Sequence, residues 1–241
     1  MSYRRILEKD QPVHIISRAL VDILKSKEDC YRFIFQFYVA NLGKRGFNVR
    51  IKDAVKAGHT LLGGEKIPSK FITQDHSPLV ELLDFALVVN HYHFYLLPNS
   101  EKAVPLLMGR LNNGFAKSYN LIHHRKDAVF GSRYKSIVAK TDAQSAAISR
   151  YINIINPLDV FQPGWREEGL NDYEEAFKFL ADYEFSSFPD KIGKRNSQIL
   201  TSQETLEKHS FIGDPDNKKE FEEFTKEFLK ERKSYQSLFL E

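Results

Sequence analysis

The spacing of hydrophobic and polar positions changes several times along this chain. Val13-His14-Ile15-Ile16-Ser17-Arg18 reads as a short strand. Residues 28–57 read as helical in pieces, opening on an acidic first turn (Glu28, Asp29) and broken at Gly43 and Gly46. A loop is predicted from Gly58 to Pro68, around Gly63-Gly64. The densest apolar run, Leu82 to Leu97, is too rich in Val, Phe and Tyr to favour a helix. Asn90 suits a tight turn in its middle, which divides the run into strands 82–89 and 91–97, a hairpin ended by Pro98-Asn99-Ser100.

An amphipathic helix follows over 103–121, with Pro105 tolerated in its first turn. Tyr134 to Ala139 is a further strand. Thr141 or Asp142 then caps a helix running to about Ile155, where Asn156-Pro157 is expected to stop it. This βαββαβ order predicts an α+β fold, a ferredoxin-like antiparallel sheet with helices packed on one face. After Pro163-Gly164 the pattern changes. Residues 171–184 and 217–234 read as charged amphipathic helices of a C-terminal extension, 166–241.

Composition adds boundaries. With 241 residues, 42% hydrophobic and 28% charged, the chain has the makings of a sizeable core, and neither a disordered nor a fibrous class fits. The one cysteine, Cys30, lies in an apolar stretch and reads as a buried structural residue. No apolar run approaches the ~20 residues of a membrane span, and the first residues have no signal-like core, so a cytoplasmic location without membrane contact is expected. The net charge of +3 is unevenly spread: residues 1–165 carry 23 Lys/Arg against 14 Asp/Glu, and residues 166–241 carry 12 against 18. A basic front with an acidic tail fits a polyanion-binding module with an appendage, a pattern that unrelated enzymes share.

Three features can carry chemistry. His91 and His93 stand two apart on a predicted strand, so both imidazoles project from one face, as a divalent cation would require. Chance spacing among eight histidines is the plainer explanation. Tyr151 lies on a helical apolar stripe with Ile148, Ile152 and Ile155, where packing is the plainer role. Gly131-Ser132-Arg133-Tyr134-Lys135-Ser136, with Arg125-Lys126 just before it, combines cations for phosphates with an aromatic able to stack on a base, or is an ordinary turn into a strand. The adjacent His123-His124 would not share a face and is not taken as a metal site.

Four segments, in order, resemble the HUH-type single-tyrosine transposases, and within them the REP-associated tyrosine transposase branch. Val13 to Arg18 is similar to the first-strand "YHI-x-x-R" segment, and Ala86 to Phe94 to the "MPNH-x-H" metal motif. Val129 to Ser136 resembles "LFQGRYKS", and Arg150 to Pro157 resembles the "RYIHLNP" tyrosine segment. A weaker likeness continues through Phe161-Gln162-Pro163-Gly164-Trp165 and Tyr183 to Phe188, so that roughly 10–195 is covered. The resemblance implies that residues 1–165 form a catalytic domain acting on single-stranded or hairpin DNA. It implies Tyr151 as the nucleophile, giving a 5′-phosphotyrosine and a free 3′-hydroxyl. It implies His91 and His93, with Asn156, as holders of Mg²⁺ or Mn²⁺, and Arg18, Arg125, Lys126, Arg133, Tyr134 and Lys135 as DNA contacts. Relatives include dimers and monomers, so a homodimer stays open.

Two departures stand out. Val88-Val89 replaces the family's Met-Pro. The tyrosine segment is also one residue too long: the family has Asn or Gln four residues after the tyrosine, whereas Ile155 stands there and Asn156 follows at five. Either a local bulge turns Asn156 inward or the third protein ligand is lost. Asn153, two residues on, faces away from the tyrosine. The alternative is a domesticated DNA-binding protein of the same fold with weakened or lost cleavage; a third reading is unrelated metal-dependent chemistry on the same sheet.

Overall fold

The structure, a computed structural model, describes residues 11–42, 51–65, 78–209 and 215–230, together with Lys9. Strands β1 (Val13–Arg18), β2 (Val80–Val88), β3 (His91–Pro98) and β4 (Lys135–Val138) form an antiparallel sheet in the order β2-β3-β1-β4. This is the ferredoxin-like arrangement the element order predicts. The β2–β3 hairpin turns at Val89-Asn90, and β1 pairs with β3 in the register Ser17↔Tyr92, Ile16↔His93 and Arg18↔His91.

Helices α1 (Lys27–Asn41) and α2 (Ile51–Leu62) lie between β1 and β2, and α3 (Ala103–Ile122) between β3 and β4. Ser26 caps α1, its hydroxyl accepting the Asp29 N–H at 3.1 Å. The predicted breaks at Gly43 and Gly46 lie outside the described residues. Gly58, expected to open a loop, is helical instead. A Cβ there would collide with the Tyr31 carbonyl, so glycine is what lets α2 lie this close to α1.

Strand alternation divides the side chains between two faces. Val13, Ile15, Phe85, Leu87, Tyr92 and Phe94 meet Phe33 and Phe37 of α1 and Leu111 and Phe115 of α3 in the main core. Cys30 is buried in the same layer and donates to the Leu24 carbonyl. The opposite face carries His14, Ile16 and Arg18 of β1, His91, His93 and Tyr95 of β3, and Asp84 and Ala86 of β2, as the register requires. Helix α4 (Asp142–Arg150), capped by Thr141, and its continuation cover this face through Ile148 and Ile152. The expectation of helices on one face therefore holds for α1 and α3 and is corrected for the tyrosine helix. The reason is that β2 and β3 are buried along almost their whole length on both sides, and both sides need cover.

The tyrosine helix also does not stop at Asn156-Pro157. After α4 it widens into a π-helical turn, Tyr151–Ile155, and resumes as α5 (Asn156–Phe161). The Asn156 N–H bonds to the Tyr151 carbonyl, five residues back. Proline in a regular helix interior strains against the carbonyl four residues before it; here Pro157 falls in the first turn after the wider π segment, where it is accommodated.

Beyond this lie α6 (Trp165–Glu168), α7 (Tyr173–Asp182), α8 (Phe188–Lys191), α9 (Gln203–His209) and α10 (Pro215–Lys230). Both charged helices expected in the extension are present, and the end expected for the second, past 230, lies outside the described residues. Leu180 and Phe228 of α7 and α10 pack with Ile154, Leu158 and Trp165 against the outer side of the tyrosine helix. The segment after α7 returns to the sheet and bonds along β2: Leu87 N–H to the Phe185 carbonyl, Ser187 N–H to that of Phe85, and Thr201 N–H to that of Leu82, each at 2.9 Å. Among the described residues, no helix is long and apolar enough to cross a membrane.

Candidate active site

Strand period two places His91 and His93 on the same face, with ring centroids 5.0 Å apart. The neighbouring strand adds His14, two residues from Ile16, the residue directly opposite His93. Its Nε2 lies 3.0 Å from His93 Nδ1 in a buried hydrogen bond, with the ring centroids 5.2 Å apart and the ring planes within 23° of each other. Tyr151 closes the site from above: its ring meets His93 edge-on at 5.6 Å and His14 at 6.0 Å. One chain thus brings together the tyrosine and the histidine pair that the sequence singles out.

Burial sets the charge state of these rings. It lowers the pKa of His14 to about 4. His91 is also lowered to about 4, by burial first and by the nearby Arg18 guanidinium second. Burial holds His93 well below its usual value, with His14 and His91 adding to the effect. All three are neutral at pH 7, the state in which imidazole offers a lone pair to a metal. His91 Nδ1 donates to Asn90 Oδ1 at 2.8 Å, so its lone pair is on Nε2. His93 Nε2 and His14 Nδ1 are buried without a hydrogen-bond partner. A buried nitrogen of this kind is what a ligand to an ion looks like before the ion is present. Among the described residues no three His, Cys, Asp or Glu side chains group to hold a metal, so a cation here would rest on the histidine pair with other donors completing its shell.

The π turn determines where Asn156 stands. It carries Asn156 one turn above Tyr151 although the two are five residues apart, so the extra residue is absorbed by a bulge. The buried Asn156 amide donates to the Tyr151 carbonyl at 3.1 Å, which places its nitrogen on the helix backbone. Asn153 points the other way, as expected. Its Nδ2 donates to Asp84 Oδ1 at 2.8 Å, and its Oδ1 accepts from Ser187 at 2.6 Å. Lys191 Nζ, also buried, pairs with the same Asp84 oxygen at 2.9 Å. This network fastens the π turn to β2.

Two residues beside the tyrosine escaped the sequence reading. Arg166 lies with its guanidinium carbon 5.9 Å from the Tyr151 ring centre and also hydrogen-bonds to that tyrosine. Asp159 holds it through Nε at 3.0 Å and Nη2 at 2.6 Å, and is itself fixed by Trp165 Nε1 at 2.8 Å. Burial opposes the guanidinium charge, but Asp159 and Tyr151 together outweigh it and raise the Arg166 pKa. Their separation of seven residues, through a turn that opens on the left-handed Gly164 (φ +86°), gave no periodic signal. His14 did lie in a singled-out segment, with the parity of Ile16 and Arg18.

The expected DNA contacts are distributed along one end of the sheet. Arg18 and Lys135 are exposed and belong to the site face, opposite His91 and Ile16 respectively. The Leu20 N–H to Val129 carbonyl bond and the Ala19–Phe130 bridge hold the preceding loop against the end of β1. Lys126 and Arg133 are exposed on that loop, whereas Arg125 is half-buried, 3.9 Å from Asp127. Tyr134 is half-buried and packs against the main core, which limits the ring surface it can offer to a base.

No protein-family model and no curated protein matches the sequence. Among solved structures, the chain is similar to one described as a REP-associated tyrosine transposase bound to a REP hairpin. The TM-score is 0.50 and the identity 12%, and the alignment covers 84% of this chain and 92% of that one. At that identity the likeness is one of fold, and it is the fold that the motif order implies.

Proposed function

We propose that the protein cleaves and rejoins single-stranded, hairpin-bearing DNA through a covalent link to Tyr151. The observation that carries this is the Tyr151 ring against His93 on a sheet face rimmed by Arg18 and Lys135. The fold is shared with a transposase whose structure holds a DNA hairpin. In the reaction the tyrosine loses its hydroxyl proton, Oη bonds to phosphorus, the P–O3′ bond breaks, and the departing 3′-oxygen takes up a proton. Attack by the freed 3′-hydroxyl reverses the link, so the bond energy is kept for rejoining.

A free tyrosine has a pKa near ~10, so the phenol needs help at neutral pH. Arg166 supplies some of it: a cation bonded to the phenol favours the phenolate, and Asp159 holds the guanidinium in place. His91 and His93 would hold Mg²⁺ or Mn²⁺, which when bound neutralises charge on the non-bridging phosphate oxygens. Arg18 and Lys135 would fix the strand through its backbone.

A second reading, a DNA-binding protein of this fold that has lost cleavage, draws on the burial of Tyr151, only 4% exposed, and on the two-histidine character of the cation site. Incubation with Mn²⁺ and end-labelled hairpin DNA separates the two. The expected result is a covalent adduct that survives denaturing electrophoresis and disappears in Tyr151→Phe. Tight DNA binding by the wild type with no adduct would establish the second reading.

A further inference from the structure

We infer that His14 is a positioning residue for His93, fixing the tautomer through which that ring can bind a divalent cation. The inference rests on the proposed role of the histidine pair and adds a residue to it. His14 Nε2 and His93 Nδ1 share one hydrogen bond of 3.0 Å, so one of the two nitrogens must carry the proton and the other the lone pair. If the proton is on His14 Nε2, His93 carries its own proton on Nε2 and has no lone pair there. If it is on His93 Nδ1, His14 Nε2 accepts, and the His93 Nε2 lone pair is free.

Without a cation, no hydrogen bond at the outer nitrogens selects between the two arrangements. Each leaves one N–H and one lone pair on the outer nitrogens, His14 Nδ1 and His93 Nε2, both buried without a partner. A cation on His93 Nε2 selects the second arrangement and needs an acceptor at His14 Nε2 to sustain it. His91 meets the same requirement differently, its Nδ1–H going to Asn90 Oδ1 at 2.8 Å. Both histidines of the pair thus have an acceptor on Nδ1: a side-chain amide for the outer one, an imidazole from the adjacent strand for the buried one. An acceptor on the far nitrogen of a ligating histidine fixes the ring and raises its basicity.

The position is specific. His14 is fully buried, and the residue directly opposite it on β3 is Tyr95 rather than His93, so the bond runs diagonally across the pair of strands. An apolar side chain of similar size would fill the space without accepting a proton.

The test compares His14→Leu with His14→Gln in the full chain. Gln offers an amide oxygen where the imidazole nitrogen stood, and Leu offers none. Mn²⁺ binding is read by electron paramagnetic resonance of the free ion, without DNA. His14→Leu is expected to weaken Mn²⁺ binding by about 10–100-fold while melting cooperatively, and His14→Gln to recover most of the loss. In Mg²⁺-saturated wild type, nitrogen-15 NMR should show His93 protonated on Nδ1.

Unchanged Mn²⁺ affinity in His14→Leu, or His93 protonated on Nε2 in the Mg²⁺ form, overturns the inference. His91→Ala is the control: if it too leaves Mn²⁺ affinity unchanged, the histidine pair is not a cation site and the proposed function loses its metal together with the role of His14. Loss in His91→Ala but not in His14→Leu removes only the role of His14. If His14→Leu fails to fold, the Gln variant and the wild-type tautomer still decide the question.

Discussion

The two faces of one sheet follow different rules. Toward α1 and α3 the strands present Val13, Ile15, Phe85, Leu87 and Phe94 to one apolar layer, where the Phe94 ring packs against those of Phe33 and Phe37. Tyr92 is the polar tip of that layer, and its hydroxyl is satisfied by Asn112. Toward the tyrosine helix the same strands present three neutral histidines, a buried aspartate, and two ring nitrogens with no partner. Burial on the first face is almost free of polar cost. On the second face it is opposed by desolvated polar groups, and the structure tolerates them because the first face supplies the stability. Stability and chemistry are thus separated by the pleat.

Substitutions can challenge this division. Phe94→Ala should cost about 3–5 kcal/mol in urea unfolding, because it opens a cavity among packed rings. The folded fraction should keep its adduct yield per molecule; a collapse of that yield at equal folding would mean that the faces are not independent.

Lowering the pH should act on the other face. The unfolded chain protonates histidine near the ordinary 6.5, whereas the folded chain keeps His14 and His91 neutral to about 4. Between those values the unfolded state binds more protons, so stability falls as pH falls from 6.5 toward 4, with no contribution from these groups above 6.5. Melting temperature against pH reads this directly. The slope should diminish in His14→Gln and persist in Phe94→Ala.

Asn153→Ala removes a partner from both Asp84 and Ser187 and should cost roughly 1–3 kcal/mol. Adduct formation should fall further than this loss of stability alone would predict, because the π turn that carries Tyr151 is loosened.

How much of this was legible beforehand depended on the range of the signal. The strands could be read because β1 and the 82–97 run are β-branched and aromatic, and their period places His91 and His93 on one face whatever surrounds them. The bulge was visible only as a count, Asn156 one residue too far from Tyr151. Motif spacing showed that something must give, and the backbone shows that a π turn does so. The continuation through Pro157 was missed, since proline normally ends such a pattern and the π turn that accommodates it has no local signature. Asp159 and Arg166 were missed because their meeting at Tyr151 depends on the turn at Gly164 and on the packing of Trp165. His14 was in view but without a role, since its partner sits diagonally on a strand far along the chain.

The stretch that runs back along β2 has a practical consequence for how the chain can be cut. Its carbonyls and N–H groups at Phe85, Leu87 and Leu82 are occupied by residues 185, 187 and 201. A chain shortened before Phe185 would uncover all three, and an uncovered strand flank is a template for pairing with the next molecule. The acidic C-terminal portion thus serves as a seam that keeps the sheet closed on itself, and fragments ending near 165 should gather into aggregates.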